Sequence, residues 1–249
     1  MMKAESFANL ARLIGQGWTR SRWGRGNLEI ELVAPRLIYR NPYVQVFDDE
    51  VRFPGSKATG RFLRITYGQG VSDGAVVMAV TPDDDVLLVR QFRHAVRLWM
   101  TELPRGFAQP GEQNRMTSVR ELPEETGYHI DFGSMIHLGR LVTDSGKLHD
   151  APHLVLCRAR PREWRRPDPT ESIASVVKVK FSELRELCER GELLDVFTLA
   201  AVVRAQPHFE GNVFRPDLAL LTESPLLGEA MVDLRYDDGA FEPSDVPAR

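Results

Sequence analysis

The chain has 249 residues, 43% hydrophobic and 27% charged, with a formal net charge of −3. That balance suits a globular protein with a buried core and excludes the strongly basic domain of a general nucleic-acid binder. Two cysteines, Cys157 and Cys188, are too few for a disulfide framework and read as small core residues in a reducing compartment. No stretch approaches the roughly 18 consecutive apolar residues that span a bilayer, and the N-terminus lacks a clean apolar signal core, so a cytoplasmic, membrane-free protein is expected.

In chain order, Phe7, Leu10, Leu13 and Ile14 recur along one side of a short amphipathic helix, within an N-terminal arm taken as residues 1–40. NPYVQVFDDEVRF (41–53) and RFLRITY (61–67) alternate apolar and polar residues as half-buried strands, with a turn at PGS between them. GAVVMAV (74–80) and VLLVRQF (86–92) flank the turn-forming TPDDD and predict a hairpin. A helix is expected over 113–126, then strands at 136–142, 153–159 and 175–181. Two further helices follow, 182–191 with Ser182 as N-cap and Gly191 past its end, and 193–206 capped by Asp195. From Pro207 the sequence loses periodicity, and 207–249 is expected to be an irregular C-terminal arm around a main domain over 41–206. Strands, one central helix, more strands and then helices predict an α+β sandwich, not a doubly wound sheet.

The chemistry concentrates in the central helix. Glu121, Glu124 and Glu125 lie at i, i+3 and i+4 and share a face, where like charges repel and demand a counter-charge, basic side chains or a bound cation. Oxygen-only ligation suits a hard cation such as Mg²⁺ or Mn²⁺. Pro123 interrupts this turn, at a cost of about 3 kcal/mol in a helix interior. It either bends the carboxylates relative to one another or faces away from them.

Over residues 106–128, GFAQPGEQNRMTSVRELPEETGY places Gly106, Glu112, Arg120, Glu121, Leu122, Glu124, Glu125 and Gly127 at fixed spacings, with Tyr128 a looser last position. This resembles the Nudix box, G-x5-E-x7-R-E-U-x-E-E-x-G-U with U apolar. The flanks VLLVRQFRHAVRLWMTELPRG and GELLDVFTLAAVV are similar to the ADP-ribose pyrophosphatase branch, and the likeness spans roughly 40–205.

The resemblance implies a Nudix α/β/α sandwich with a mixed sheet and a central catalytic loop-helix. It makes Glu121 and Glu125 the principal ligands of Mg²⁺ or Mn²⁺, with Glu124 assisting and the Arg105 carbonyl completing the shell. It pairs Arg120 with Glu112 to fix the loop on the helix, and gives Gly106 and Gly127 the task of backbone freedom. Arg93 becomes a substrate-phosphate contact. Alignment of the loop TDSGKLHDAPH puts Asp150 at the general-base position, with Asp144 and His149 as rivals.

The activity implied is hydrolysis of the pyrophosphate of a nucleoside diphosphate linked to another moiety, foremost ADP-ribose to AMP and ribose 5-phosphate. The small-molecule nucleotide is the partner, no nucleic acid is expected, and pairing through N-terminal sheets implies a homodimer. PRGF, where many ADP-ribose enzymes have a small residue before the glycine, leaves nucleotide sugars, NADH and dinucleoside polyphosphates open. A non-catalytic nucleotide-binding Nudix module is the alternative of another class.

Overall fold

The computed structural model describes residues 29–67, 74–109, 112, 114–161 and 172–217, so the amphipathic helix expected near the N-terminus lies outside the described residues. The chain divides into two compact units.

The first unit holds β1 (Glu31–Ala34), β2 (Leu37–Arg40), β3 (Val44–Arg52) and β4 (Thr59–Tyr67). The two strands expected here are β3 and β4, paired antiparallel from Val44↔Tyr67 to Arg52↔Thr59 around a turn where Gly55 has φ 74°. β1 and β2, both on β3, fall within the stretch read as an N-terminal arm. Alternation buries Gln45, Phe47, Asp49 and Val51 on one face of β3. The inward Asp49 is accommodated because Arg64 binds it through two nitrogens, at 2.7 and 3.2 Å, and lies 4.0 Å from the centre of the Phe47 ring.

The second unit is built on β5 (Ala75–Val80), every residue of which is buried. It also holds β6 (Asp85–Arg93), β7 (Leu98–Glu102), β8 (Arg105–Gly106), β9 (Tyr128–Ile130), β10 (Ile136–Arg140), β11 (Leu148–His149), β12 (His153–Pro161) and β13 (Ile173–Lys180). The main sheet runs β10–β12–β5–β6–β13, with β12 parallel to β5 and the other neighbours antiparallel. Off this path, β7 pairs β6, β8 pairs β5 and β9 pairs β12.

The period of two in β5 assigns its faces. Val77 and Ala79 join Leu87, Cys157 and Leu122 under α1 (Asn114–Thr126). Val76, Met78 and Val80 join Leu88, Leu154 and Leu156 against Leu184 of α2 (Phe181–Glu189) and Ala201, Val202 and Ala205 of α3 (Val196–Ala205). Each buried aliphatic side chain contributes about 1.5–3 kcal/mol. Helices therefore cover both faces of a mixed sheet, the α+β sandwich expected. Cys157 is fully buried, a core thiol as expected.

Two local expectations are corrected. Ser182 does not cap α2; the helix begins at the buried Phe181, and its cap lies two residues earlier than expected, at Lys180, which makes no side-chain hydrogen bond. The Ser182 N–H is instead accepted by Asn212 Oδ1 at 2.8 Å. The described residues just after Pro207 are also more regular than their composition implied. β14 (Phe209–Glu210) and β15 (Val213–Phe214) form a hairpin whose Phe214 is buried and whose Phe209 stacks on Phe181, ring centres 3.9 Å apart. Asp195 does cap α3, accepting the Thr198 N–H at 2.9 Å.

Candidate active site

Helix α1 sets the site by burying one stripe and offering the next. Leu122 packs into the core beside Val119, and the adjoining face carries Glu121 and Glu125, only 5% and 1% exposed. Glu124 keeps 37% of its side chain exposed. The face shared by three carboxylates thus holds two buried anions and one at the rim. The helix runs unbroken through Pro123, which is half-buried. Two residues on from Glu121 it lies about 200° around the axis, away from that carboxylate. The Thr126 hydroxyl donates to the Leu122 carbonyl at 2.6 Å, and Gly127, at φ 77°, donates to the Pro123 carbonyl at 3.0 Å. Gly127 meets the left-handed need of a helix end.

Arg120 is the counter-charge the cluster requires. Its Nη1 lies 2.7 Å from Glu121 Oε1 and 3.4 Å from Glu124 Oε2, its Nε donates to Glu112 Oε1 at 3.1 Å, and its Nη2 donates to the Phe107 carbonyl at 2.7 Å. One guanidinium therefore joins the loop before the helix to two of the helix carboxylates, and the expected Arg120–Glu112 pair is present. Burial pushes the Glu112 carboxyl up, but hydrogen bonds from Arg120, the Gln109 N–H and Thr117, with the Arg120 charge, outweigh it and hold the group below its ordinary value.

Gly106 serves a different need from the backbone freedom anticipated. A Cβ there would lie 1.9 Å from Glu121 Cδ. Only glycine leaves room for the Glu121 carboxylate against β8. The neighbouring Arg105 N–H donates to Glu125 Oε2 at 3.1 Å, so β8 touches both buried carboxylates.

Arg93, at the end of β6, rests against Glu102 Oε1 with a side chain 30% exposed. Glu102, 0% exposed, also receives Arg105 Nη2 at 3.3 Å, and Arg105 Nη1 donates to Asp195 Oδ1 at 2.9 Å. Sequence reasoning did not assign Glu102 to the site or give Asp195 any task beyond its cap. The one signal for Glu102 was its place in the flank WMTELPRG, directly before the box.

Asp150 is buried at the end of β11. Asp144 is exposed and accepts the Gly146 N–H at 2.9 Å in a local turn, and His149 is half-buried. Nearby, His153 and His137 share a 2.7 Å hydrogen bond. Burial chiefly, with the charges of His137 and Arg140, pushes His153 down to about 3.

The donor chemistry at β8 and α1 is all oxygen, which fits a hard divalent cation. In the arrangement described, Arg120 draws on Glu121 and Glu124. Among the described residues, no three histidine, cysteine, aspartate or glutamate side chains gather where one ion would be ligated. No helix among them is long and apolar enough to cross a membrane.

A sheet sandwich that presents buried carboxylates from a loop-helix defines a class. The NUDIX domain model matches residues 72–212, more than half of the chain, and the chain belongs to the Nudix family, as a pyrophosphohydrolase. It is 27% identical over 177 residues to the ADP-ribose pyrophosphatase of Bacillus subtilis (strain 168), covering 71% of this chain and 92% of that protein. It is 26% identical over 159 residues to the methanol dehydrogenase activator of Bacillus methanolicus, covering 64% and 78%. Among solved structures, an ADP compounds hydrolase shares the fold with a TM-score of 0.60 at 17% identity, over 74% of this chain and 95% of that one. Nudix hydrolases generally act on small nucleotide substrates with a divalent metal.

Proposed function

We propose that this chain hydrolyses the pyrophosphate of a nucleoside diphosphate linked to a second moiety, ADP-ribose foremost, giving AMP and ribose 5-phosphate. The observation that carries the reading is the pair of buried carboxylates, Glu121 and Glu125, held against β8 by Gly106 and the Arg105 N–H. Likeness to an ADP-ribose pyrophosphatase over most of that protein's length supports the substrate.

In this reading Glu121, Glu125 and the Arg105 carbonyl hold Mg²⁺ or Mn²⁺, with Glu124 assisting from the rim. The chemistry a divalent cation supplies there is neutralisation of the diphosphate and acidification of water. Arg93 contacts a phosphate and offsets the charge that develops on the leaving group. Asp150 takes the proton of the attacking water, and Arg120 with Glu112 keeps the loop in register on the helix. No covalent intermediate on the protein is needed. The same reading carries a homodimer as the assembly and the cytoplasm as the place of action.

The test is a mass-spectrometric hydrolysis panel with Mg²⁺ and Mn²⁺ over ADP-ribose, NADH, GDP-mannose, UDP-glucose, a dinucleoside polyphosphate and triphosphorylated RNA. Fastest cleavage of ADP-ribose supports the proposal. Cleavage of another member alone overturns the substrate and keeps the chemistry. Turnover of none of them with either metal overturns both.

A further inference from the structure

Arg105 precedes the first glycine of the box, where its main chain serves Glu125, but its side chain is engaged elsewhere. Nη1 donates to Asp195 Oδ1 at 2.9 Å, Nη2 donates to Glu102 Oε2 at 3.3 Å, and the guanidinium lies 4.5 Å from the centre of the Phe197 ring. Both carboxylates are buried, Asp195 at 5% and Glu102 at 0% exposure. Asp195 is also the cap of α3, accepting the Thr198 N–H at 2.9 Å and hydroxyl at 2.8 Å. The Thr198 hydroxyl in turn accepts the Leu103 N–H at 3.0 Å. The run Glu102–Arg105 is thereby fastened to the start of α3 by a main-chain tie at Leu103 and a charged tie at Arg105.

These ties converge on the strand that holds Glu125, read above as a cation ligand. The Arg105 N–H that holds Glu125 Oε2 at 3.1 Å belongs to the residue whose guanidinium is clamped. Glu102 also meets Arg93, so one buried carboxylate orients both Arg105 and the arginine read as a phosphate contact. The four side chains Arg93, Glu102, Arg105 and Asp195 balance as two cations and two anions. Removing one cation leaves a buried anion short of its partner.

We infer that the Arg105 side chain, clamped between Glu102 and Asp195, is a positioning residue that fixes β8 so that its main chain holds Glu125 in place to bind a divalent cation. The inference rests on the cation-binding reading above and deepens it. Arg105 acts through the strand and through Glu125, touching neither substrate nor cation with its guanidinium. A small residue at 105 would remove the charged tie between the start of α3 and β8, while leaving the main-chain tie at Leu103.

The test uses the full-length protein and Mn²⁺ alone as probe. Mn²⁺ affinity is read by electron paramagnetic resonance titration, beside thermal melts, for wild type, Arg105→Met, Asp195→Asn and the double variant. Asp195→Asn is the cleaner change, since asparagine caps a helix as well as aspartate while giving up the charge that faces Arg105. Residues that orient metal ligands typically contribute about 10- to 100-fold in affinity. Arg105→Met is expected to weaken Mn²⁺ about 10-fold or more, Asp195→Asn several-fold, and the double variant no more than Arg105→Met. In turnover, the loss should fall on kcat while KM for the organic substrate changes little. Variants that melt earlier but bind Mn²⁺ as wild type does would overturn the inference and reduce the clamp to fold stability. Full additivity in the double variant would overturn it as well. Wild type that bound no Mn²⁺ would remove the reading beneath it, an outcome distinct from equal binding by all four proteins.

Discussion

Replacing Gly106 by alanine should separate catalysis from folding. The new Cβ would lie 1.9 Å from Glu121 Cδ and 2.0 and 2.5 Å from its two oxygens. Non-bonded carbons settle about 3.5–4.0 Å apart, so the carboxylate must withdraw by about 1.5–2 Å. The obstacle is the far end of a rotatable side chain, and an alanine suits the backbone of Gly106, which is not among the glycines with positive φ. The folding cost is therefore at the low end for overpacking, about 1 kcal/mol, or a fall in Tm of about 2–4 °C. Catalysis has no such slack, because displacing a reacting group by about 1 Å costs about 100-fold. The expected result is kcat/KM for ADP-ribose down at least about 100-fold, close to 2.7 kcal/mol, with a melt near that of wild type. Gly74 is the contrast. There a Cβ would meet the Gly106 carbonyl at 2.5 Å, a main-chain obstacle that cannot swing aside, so Gly74→Ala should lower Tm far more. Activity within about threefold of wild type for Gly106→Ala would refute the placement of Glu121 against β8 as a catalytic requirement.

Glu112→Gln should destabilise the protein by about 1–2 kcal/mol at pH 7 through its charged hydrogen bonds with Arg120. Because the native carboxyl titrates below its ordinary 4.5, that stabilisation is complete above pH 4.5 and is lost as pH falls further. Urea unfolding at pH 7 and pH 4 should show the gap between variant and wild type narrowing. His153 excludes a proton that the unfolded chain accepts at 6.5, so wild-type stability should fall as pH drops from 6.5 toward 3. Thermal melts at pH 7.5 and 5 should show a smaller drop for His153→Gln. Pro123→Ala restores the missing N–H and should raise stability by about 1–3 kcal/mol, read by urea unfolding, with kcat little changed. A large fall in kcat would mean that the proline shapes the carboxylate face.

Much of this architecture was legible because local rules were strong. The alternation in β3 and β4, the all-apolar β5, and the Asp195 cap each reflect one element's own chemistry. The box also fixed which carboxylates face together, and the Arg120–Glu112 pair followed from it. What stayed hidden depends on distant partners. Glu102 lies between the strand read at 86–92 and the box with no local pattern to mark it, yet it is fully buried, with Arg93 and Arg105 converging on it from β6 and β8. Arg105 and Asp195 are 90 residues apart, and nothing local announces their contact. Ser182 looked like a cap, but the helix already begins at the buried Phe181, with its cap two residues sooner at Lys180. The β14–β15 hairpin was missed because its strands are two residues long, too short for periodicity to register.

The central claim is that Glu121 and Glu125 on α1 hold the cation for pyrophosphate hydrolysis. The most direct measurement follows AMP and ribose 5-phosphate from ADP-ribose by mass spectrometry for wild type and Glu125→Gln, with Mg²⁺ and with the metal chelated. The account predicts both products from wild type with Mg²⁺, none on chelation, and a rate at least about 100-fold lower for the folded Glu125→Gln protein. Equal rates with the metal removed, or undiminished turnover by Glu125→Gln, would contradict it.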